Sequence, residues 1–244
     1  MNQYQTIVEE VRKIAREHLS FSSVKEKGGA ENAVTDSDVL IQRDLMKKLS
    51  EIIPGSMFYC EEEGYNSLPK AEYVFIIDPI DGTMNYTRRI PECAISVGLL
   101  HNNELVFSCV YNLFKDEMFY AVKGKGAYFQ GKKIHVSDRD FKHSIFYTGF
   151  SLYEKKYADP CIEMTKEVFH QVNDIFATRW YLFCLLWRLW ILSVCFFHSY
   201  LPLTVESLSE VCYLNVTTAT VKNCKKNQYV QENVCTICTL CTLF

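Results

Sequence analysis

The 244-residue sequence predicts an α+β or layered α/β fold. Two helical patterns come first in the chain, and a run of short apolar segments separated by turn signals follows them. Two of the early apolar segments also end in acidic residues. A chain of this length can bury a sizeable core in one large domain or in two smaller ones.

The N-terminal part of the chain predicts two helices. Apolar residues recur at helical spacing from Tyr4 to Ala15, while charged residues occupy the other face. A polar loop is expected over residues 25–32. The Thr-Asp-Ser-Asp run at residues 35–38 supplies an N-cap and early acidic charge for a second helix, which continues through Ile52 and ends before Pro54.

The middle of the chain predicts strands, because short apolar runs alternate with turn signals. Strands are expected at residues 57–60, 73–77, 94–100, 104–111 and 117–122, with a strand pair in 128–136 and a further strand at 144–148. The run that starts at residue 94 favours an antiparallel meander. A helix is expected over residues 153–172.

Composition excludes some functional classes. The formal net charge is -3, which leaves no basic footprint for nucleic acid. The polar N-terminal residues lack a basic segment followed by an apolar one, so a cytoplasmic chain is the default expectation. Of the 11 cysteines, the four before residue 175 are expected to be buried thiols of a reducing compartment.

Three carboxylates at predicted strand ends point to a metal site. Glu61 follows one strand, and Asp78 and Asp81 follow the next. Magnesium prefers oxygen ligands, commonly one or two carboxylates with waters and substrate phosphate. The carbonyl of Ile80, which lies between the two aspartates, can serve as a further ligand. The sequence therefore predicts a magnesium site, which can activate water for displacement at phosphorus.

Gly82 and Thr83 follow at once and predict the start of a short helix, whose outward N–H groups favour an anion such as phosphate. The Thr83 hydroxyl can orient the attacking water. The alternative is that Asp-Pro-Ile-Asp-Gly-Thr forms an ordinary β-turn. The apolar strand before it, and the acidic triplet that ends the preceding strand, favour a functional site.

Residues 73–91 resemble the first signature of the inositol monophosphatase family, whose members are magnesium-dependent, typically lithium-sensitive phosphatases with a layered α-β-α-β-α sandwich. The resemblance implies that metal is held by Glu61, Asp78, Asp81 and the carbonyl of Ile80. It implies that Thr83 activates the water and, with Gly82, offers amides to the phosphate. Glu61 and Asp81 are thereby expected to act in catalysis.

The resemblance also implies an outer shell and a substrate class. Asp38 falls where the family has an outer metal-site aspartate, Lys27 where it has a nearby lysine, and Glu62 is placed in the outer shell. Strand alternation alone leaves the choice among Glu61, Glu62 and Glu63 open, and the family pattern favours Glu61. The implied substrate is a small phosphate monoester such as inositol phosphate, and the family is often dimeric.

The resemblance runs from about residue 5 to residue 174 and then stops. The Trp-Asp pair of the family's second signature does not occur in the sequence, and residues 175–244 contain neither glycine nor aspartate. The expected organisation is a metal-binding α+β domain over residues 1–140, the start of a second α/β domain over 141–174, and a non-family tail over 175–244. Loss of the Trp-Asp pair predicts impaired activity.

Three interpretations of residues 175–244 compete. The first is that they do not encode evolved structure, as after a frame change or a misjoined exon. The second is a membrane segment at residues 180–201, although Arg188 lies near its centre and membrane contact is not favoured. The third is a metal module at Cys235, Cys238 and Cys241. A non-catalytic binding or regulatory remnant, attached to a membrane through 180–201, is the alternative to an enzyme.

Overall fold

The computed structural model describes residues 3–19, 24–29, 32–63, 68–135, 141–143, 145–149, 158–178 and 239–240. They fall into two compact units, one comprising the described residues up to His135 and the other comprising those from Phe141 onward. The predicted boundary at residue 140 lies outside the described residues.

The first unit begins with helices and ends with strands, as the sequence predicts. Its helices are α1 (Gln3–Glu17), α2 (Asp36–Ile52) and the short α3 (Thr83–Thr87). Its strands are β1 (Val24–Gly29), β2 (Asn32–Thr35), β3 (Met57–Cys60), β4 (Tyr73–Asp81), β5 (Ala94–His101), β6 (Glu104–Asn112), β7 (Glu117–Val122), β8 (Gly126–Phe129) and β9 (Lys132–Ile134).

Seven of these strands form one sheet in the order β3-β4-β5-β6-β7-β8-β9. Strands β4 to β9 pair antiparallel with their neighbours in the chain, which confirms the predicted meander, whereas β3 pairs parallel with β4. One face of the sheet packs against α1 and α2 and forms the core. Its fully buried side chains include Ile7, Val11, Ile41, Leu45, Phe75, Val97, Leu99 and Phe107.

The prediction of a polar loop over residues 25–32 is wrong. Strands β1 and β2 form an antiparallel hairpin there, with Val24 opposite Thr35 and Glu26 opposite Ala33. Lys and Gly are uncommon in strands, so their presence suggested a loop. Backbone pairing with the more strand-like residues of β2 overrides that local preference.

The structure also changes two predicted boundaries. Strand β4 continues to Asp81, four residues beyond the expected end at Ile77, and carries Pro79 within it. The helix expected over 153–172 is α4 (Ala158–Phe169), and residues 151–157 lie outside the described residues.

The second unit contains a β-α-β arrangement. Strands β10 (Ile145–Gly149) and β11 (Asp174–Thr178) pair parallel, with α4 between them in the chain. Strand β12 (Thr239–Leu240) pairs antiparallel with β10. The segment 180–201 and the cysteines at 235, 238 and 241 lie outside the described residues. In the part of the chain that is described, no helix is long and apolar enough to cross a membrane.

A polar network holds α1 on the sheet. The Asp116 carboxylate, in the turn between β6 and β7, accepts a hydrogen bond from the Tyr111 hydroxyl at 2.8 Å. It also accepts one from Arg16 at 2.5 Å and lies 3.4 Å from the Arg12 guanidinium. Partial burial opposes ionisation, yet these donors hold the pKa of Asp116 below its ordinary value. The network therefore links residues about one hundred positions apart in the sequence.

Asp116→Asn tests this network. Asp116 has φ +52°, a conformation that Asn tolerates as well as Asp does, so the substitution removes the charge and leaves the backbone in place. We expect the free energy of unfolding at pH 7 to fall by about 0.5–1.5 kcal/mol, since the ion pairs are partly exposed. Urea unfolding measures the change.

Glu17→Gln is the matched control, because it removes an exposed carboxylate at the end of the same helix. Its effect should stay within about 0.5 kcal/mol. If the two substitutions lowered the free energy of unfolding equally, the network would contribute no more to stability than an exposed carboxylate elsewhere on the helix.

Candidate active site

An extra residue in β4 brings its two aspartates to one face of the sheet. Asp78 pairs with Ser96 of β5, and Asp81 pairs with Ala94, so three steps along β4 match two along β5. In a regular strand, positions three apart point to opposite faces. The bulge restores the alternation, and both aspartates face away from the core to which Ile77 and Ile80 contribute.

The parallel pair β3–β4 brings Glu61 beside Asp78. Cys60 is opposite Ile77, so the next residues of the two strands meet at the same edge of the sheet. The two carboxyl groups share a hydrogen bond. Burial, and then the negative charges of Glu61 and Asp81, raise the pKa of Asp78 well above its ordinary value.

One oxygen of Asp78 is an unsatisfied buried acceptor. The residue as a whole is half-buried, but its Oδ1 has no solvent contact and no hydrogen-bond partner among the described residues. A buried polar atom without a partner is costly, and it is commonly explained by an ion or a catalytic role. The carboxylates of Asp78, Glu61 and Asp81 supply oxygen donors, the ligand type that a hard cation such as magnesium prefers.

Asp38 lies at the start of α2 and is oriented by Thr35. Its Oδ2 accepts hydrogen bonds from the Thr35 backbone N at 2.8 Å and from the Thr35 hydroxyl at 2.5 Å. The Asp38 backbone N in turn donates to the Thr35 hydroxyl oxygen, which completes a capping box. Its Oδ1 is left to face the Thr83 hydroxyl at 3.2 Å.

The environment of Asp38 favours its protonated form. Burial raises its pKa to about 6 and the charge of Glu62 adds to that effect, although the hydrogen bonds from Thr35 and Thr83 oppose it. A carboxyl group with a pKa in this range exchanges a proton near neutral pH. Such groups are concentrated at functional sites.

The turn between β4 and α3 requires glycine at position 82. Gly82 has φ +84°, and a Cβ there would lie 3.0 Å from the carbonyl oxygen of Glu92 and 3.4 Å from the Cβ of Cys93. The Gly82 carbonyl accepts hydrogen bonds from the backbone N of Asn85 and Tyr86 at 2.8 and 3.0 Å. Helix α3 therefore starts at Thr83, as predicted, and its first N–H groups have no acceptor within the helix.

The Thr83 hydroxyl lies between two acceptors. It is 3.0 Å from the carbonyl oxygen of Ile80 and 3.2 Å from Asp38 Oδ1. A hydroxyl has one hydrogen to donate and two lone pairs to accept with. When Thr83 donates to Asp38, the Ile80 carbonyl is available to another partner.

Two further residues were predicted for the outer shell of the site, Glu62 and Lys27. The Glu62 backbone N donates to Gln42 Oε1 at 3.3 Å, and its carboxylate acts on Asp38 through charge. Lys27 lies in β1, but its side chain is outside the described residues. Across the described residues, no three His, Cys, Asp or Glu side chains surround a common point closely enough to hold an ion. The carboxylates are neighbours without converging on one point.

Sequence reasoning missed Ser96, which lies opposite Asp78. It also assigned Thr35 only to capping, whereas the structure connects Thr35 to Thr83 through Asp38. The cap pattern was readable in the sequence. The position of Ser96 was not, because it depends on the register of β4 against β5.

Comparison with known proteins identifies the family of the chain. A model of the inositol monophosphatase family matches residues 2–174. Inositol monophosphatase 1 of Rattus norvegicus is 36% identical over 117 residues, which cover 47% of this chain and 42% of the rat protein. The putative Nus factor SuhB of Neisseria meningitidis serogroup B is 34% identical over 135 residues, which cover 55% of this chain and 52% of that protein.

Solved structures show the same fold. The extragenic suppressor protein suhB of Bartonella henselae superposes with a TM-score of 0.63 at 25% identity, over 72% of this chain and 68% of that chain. An IMPase/NADP phosphatase solved with Mg²⁺ and phosphate superposes with a TM-score of 0.59 at 18% identity, over 71% of this chain and 64% of that chain. The predicted fold class is confirmed.

The fold and the acidic turn of residues 78–83 together place the chain among the layered α/β proteins. More specifically, the chain belongs to the inositol monophosphatase family, and the matched region ends at residue 174, as the sequence resemblance predicts. The chain spans about half the length of the curated relatives it matches, 52% in the case of the Neisseria protein.

Asp38→Asn is expected to change how stability depends on pH. Since the pKa of Asp38 is about 6 in the folded chain and 3.8 ordinarily, the folded state holds this proton more tightly than the unfolded state. This stabilisation is present below about pH 4 and is lost as the pH rises through about 6, a change of roughly 3 kcal/mol. Asn keeps an oxygen for Thr35 and an amide for the Thr83 hydroxyl, but it carries no charge.

Urea unfolding of both proteins in metal-free buffer from pH 4 to pH 7 measures this effect. The unfolding free energy of Asp38→Asn minus that of the wild type should increase as the pH rises. Asp44→Asn is a control of opposite sign, because a hydrogen bond from Arg43 lowers the pKa of Asp44 and its stabilisation is lost as the pH falls. A difference for Asp38→Asn that does not vary with pH would contradict the raised pKa.

Proposed function

We propose that this chain uses the acidic turn to hydrolyse a small phosphate monoester, of which inositol phosphate is the expected example, with magnesium as cofactor. The observation that carries the proposal is the gathering of Glu61, Asp78 and Asp81 beside the first residue of α3. Membership of a phosphatase family supports the reaction class. The all-oxygen donor set supports the choice of cation.

In the proposed site, the ion is held by the carboxylates of Glu61, Asp78 and Asp81 and by the carbonyl of Ile80. When bound, magnesium supplies charge neutralisation at the phosphate and a water of lowered pKa. The first N–H groups of α3, with that of Gly82, bind phosphate oxygens. Gly82 permits the close approach of the phosphate because it has no side chain.

Thr83 and Asp38 have the proposed role of orienting the attacking water. With its hydrogen directed to Asp38 Oδ1, Thr83 leaves its lone pairs to accept a hydrogen bond from the water. Thr35 fixes the other oxygen of Asp38, so the carboxylate does not rotate away. Positioning of this kind lowers the entropy cost of the reaction.

We further propose that turnover by this chain is slow. The sequence lacks the Trp-Asp pair that completes the family's second metal site, so a single ion is expected to bind. The alternative of a non-catalytic remnant predicts ion binding without phosphate release. The cytoplasmic location and the homodimer stay predictions.

Phosphate release by the full chain from inositol phosphate, with and without magnesium, tests the proposal. We expect slow release that requires magnesium and falls at least about 100-fold in Asp81→Asn, since the substitution removes an ionic ligand. Asp159→Asn removes an exposed carboxylate of α4 and should leave the rate unchanged.

Titration with Mn²⁺, followed through the spin-resonance signal of the free ion, measures binding separately. One ion per wild-type chain is expected, and none for Asp81→Asn at the same concentration. Binding with no phosphate release would favour the remnant. Release that is indifferent to magnesium, or to Asp81→Asn, would overturn the proposed site.

A further inference from the structure

Two buried polar atoms without partners lie at opposed positions of neighbouring strands. Ser96 of β5 pairs directly with Asp78 of β4, and paired residues project from the same face of a sheet. Ser96 is 1% exposed. Within the described residues, neither its Oγ nor Asp78 Oδ1 has a hydrogen-bond partner.

These two atoms are chemically complementary. A serine hydroxyl can donate one hydrogen bond, and a carboxylate oxygen can only accept. The Cβ atoms of directly opposed residues lie about 4.5–5.5 Å apart. A serine and an aspartate side chain can span such a gap, either directly or through one water, by rotation about their own side-chain bonds.

The metal site proposed above creates a need for such a donor. A carboxylate that binds a metal with one oxygen commonly has its other oxygen held by a hydrogen bond, which fixes its orientation. Asp78 shares one hydrogen bond with Glu61, itself a proposed ligand. Among the described residues, Ser96 is the buried hydroxyl that stands directly opposite Asp78.

We infer that Ser96 is a positioning residue for the metal site: its hydroxyl donates to Asp78 Oδ1, directly or through one water, and holds the carboxylate so that its other oxygen binds the ion. The inference rests on the proposed function, because it assumes that Asp78 is a metal ligand. Ser96 itself touches neither ion nor substrate.

Ser108 provides an internal control. It is 1% exposed and has no hydrogen-bond partner within the described residues, as for Ser96. Its partner on β5 is Gly98, which is two residues from Ser96 and therefore on the same face of the sheet. Ser108 thus matches Ser96 in residue type, burial and face, but it stands opposite a glycine.

The test compares Mn²⁺ binding and metal-free stability of the full chain in wild type, Ser96→Ala, Ser96→Thr and Ser108→Ala. We expect Ser96→Ala to weaken Mn²⁺ binding by about 10- to 100-fold, the usual range for loss of a hydrogen bond to a ligand. Ser96→Thr keeps the hydroxyl and should bind within about threefold of wild type, as should Ser108→Ala. Urea unfolding without metal shows whether each variant folds.

Each outcome distinguishes this inference from the proposed function. Ser96→Ala binding as tightly as wild type, while Asp81→Asn binds none, would overturn the inference and leave the proposed site intact. Wild type binding no Mn²⁺ would overturn both. Equal loss of binding in Ser96→Ala and Ser108→Ala would indicate general packing and also overturn the inference. If Ser96→Ala does not fold, Ser96→Cys, which is similar in size and a far weaker donor, carries the same expectation.

Discussion

The single extra residue between Asp78 and Asp81 is the constraint on which the site depends. Without it, the two aspartates would project from opposite faces of β4, and one of them would enter the core that α1 and α2 cover. Pro79 lies within the irregular stretch, where the lack of a backbone N–H costs no regular ladder bond. Strand β4 ends at Asp81, and Gly82, in a left-handed conformation, then caps the start of α3.

The acidic cluster opposes the stability of the chain that contains it. Burial, and then the negative charges of Glu61 and Asp81, raise the pKa of Asp78, since like charges are held together away from water. Hydrogen bonds outside the cluster stabilise the helix and the turn that follow it. The fully buried Tyr86 donates to the carbonyl oxygen of His18 at 2.9 Å and so connects α3 to the end of α1. The Asn85 side chain donates to the carbonyl oxygen of Glu92 at 2.7 Å and closes the turn from behind.

The sequence allowed the meander and the acidic turn to be predicted because their signals are local. Apolar runs between turn residues define β5 to β7, and six adjacent residues define the motif from Asp78 to Thr83. The hairpin of β1 and β2 was missed because β1 is rich in Lys, Glu and Gly, residues that are uncommon in strands. The pairing of Ser96 with Asp78 could not be predicted from the sequence either. It depends on register, and one residue more or less in β4 would reverse it.

The separation of contacts along the chain bears on the order in which the parts of the site form. Strands β5 to β9 are joined by turns of two to four residues, so their pairing closes small loops at little entropic cost. The contact between Asp38 and Thr83 joins residues 45 positions apart, and that between Arg16 and Asp116 joins residues 100 apart. Contact order therefore favours early pairing of the sheet and later docking of the N-terminal helices. The carboxylates of β4 would meet before Asp38 arrives, so a nascent chain would hold the metal-binding half of the site before the half that orients water.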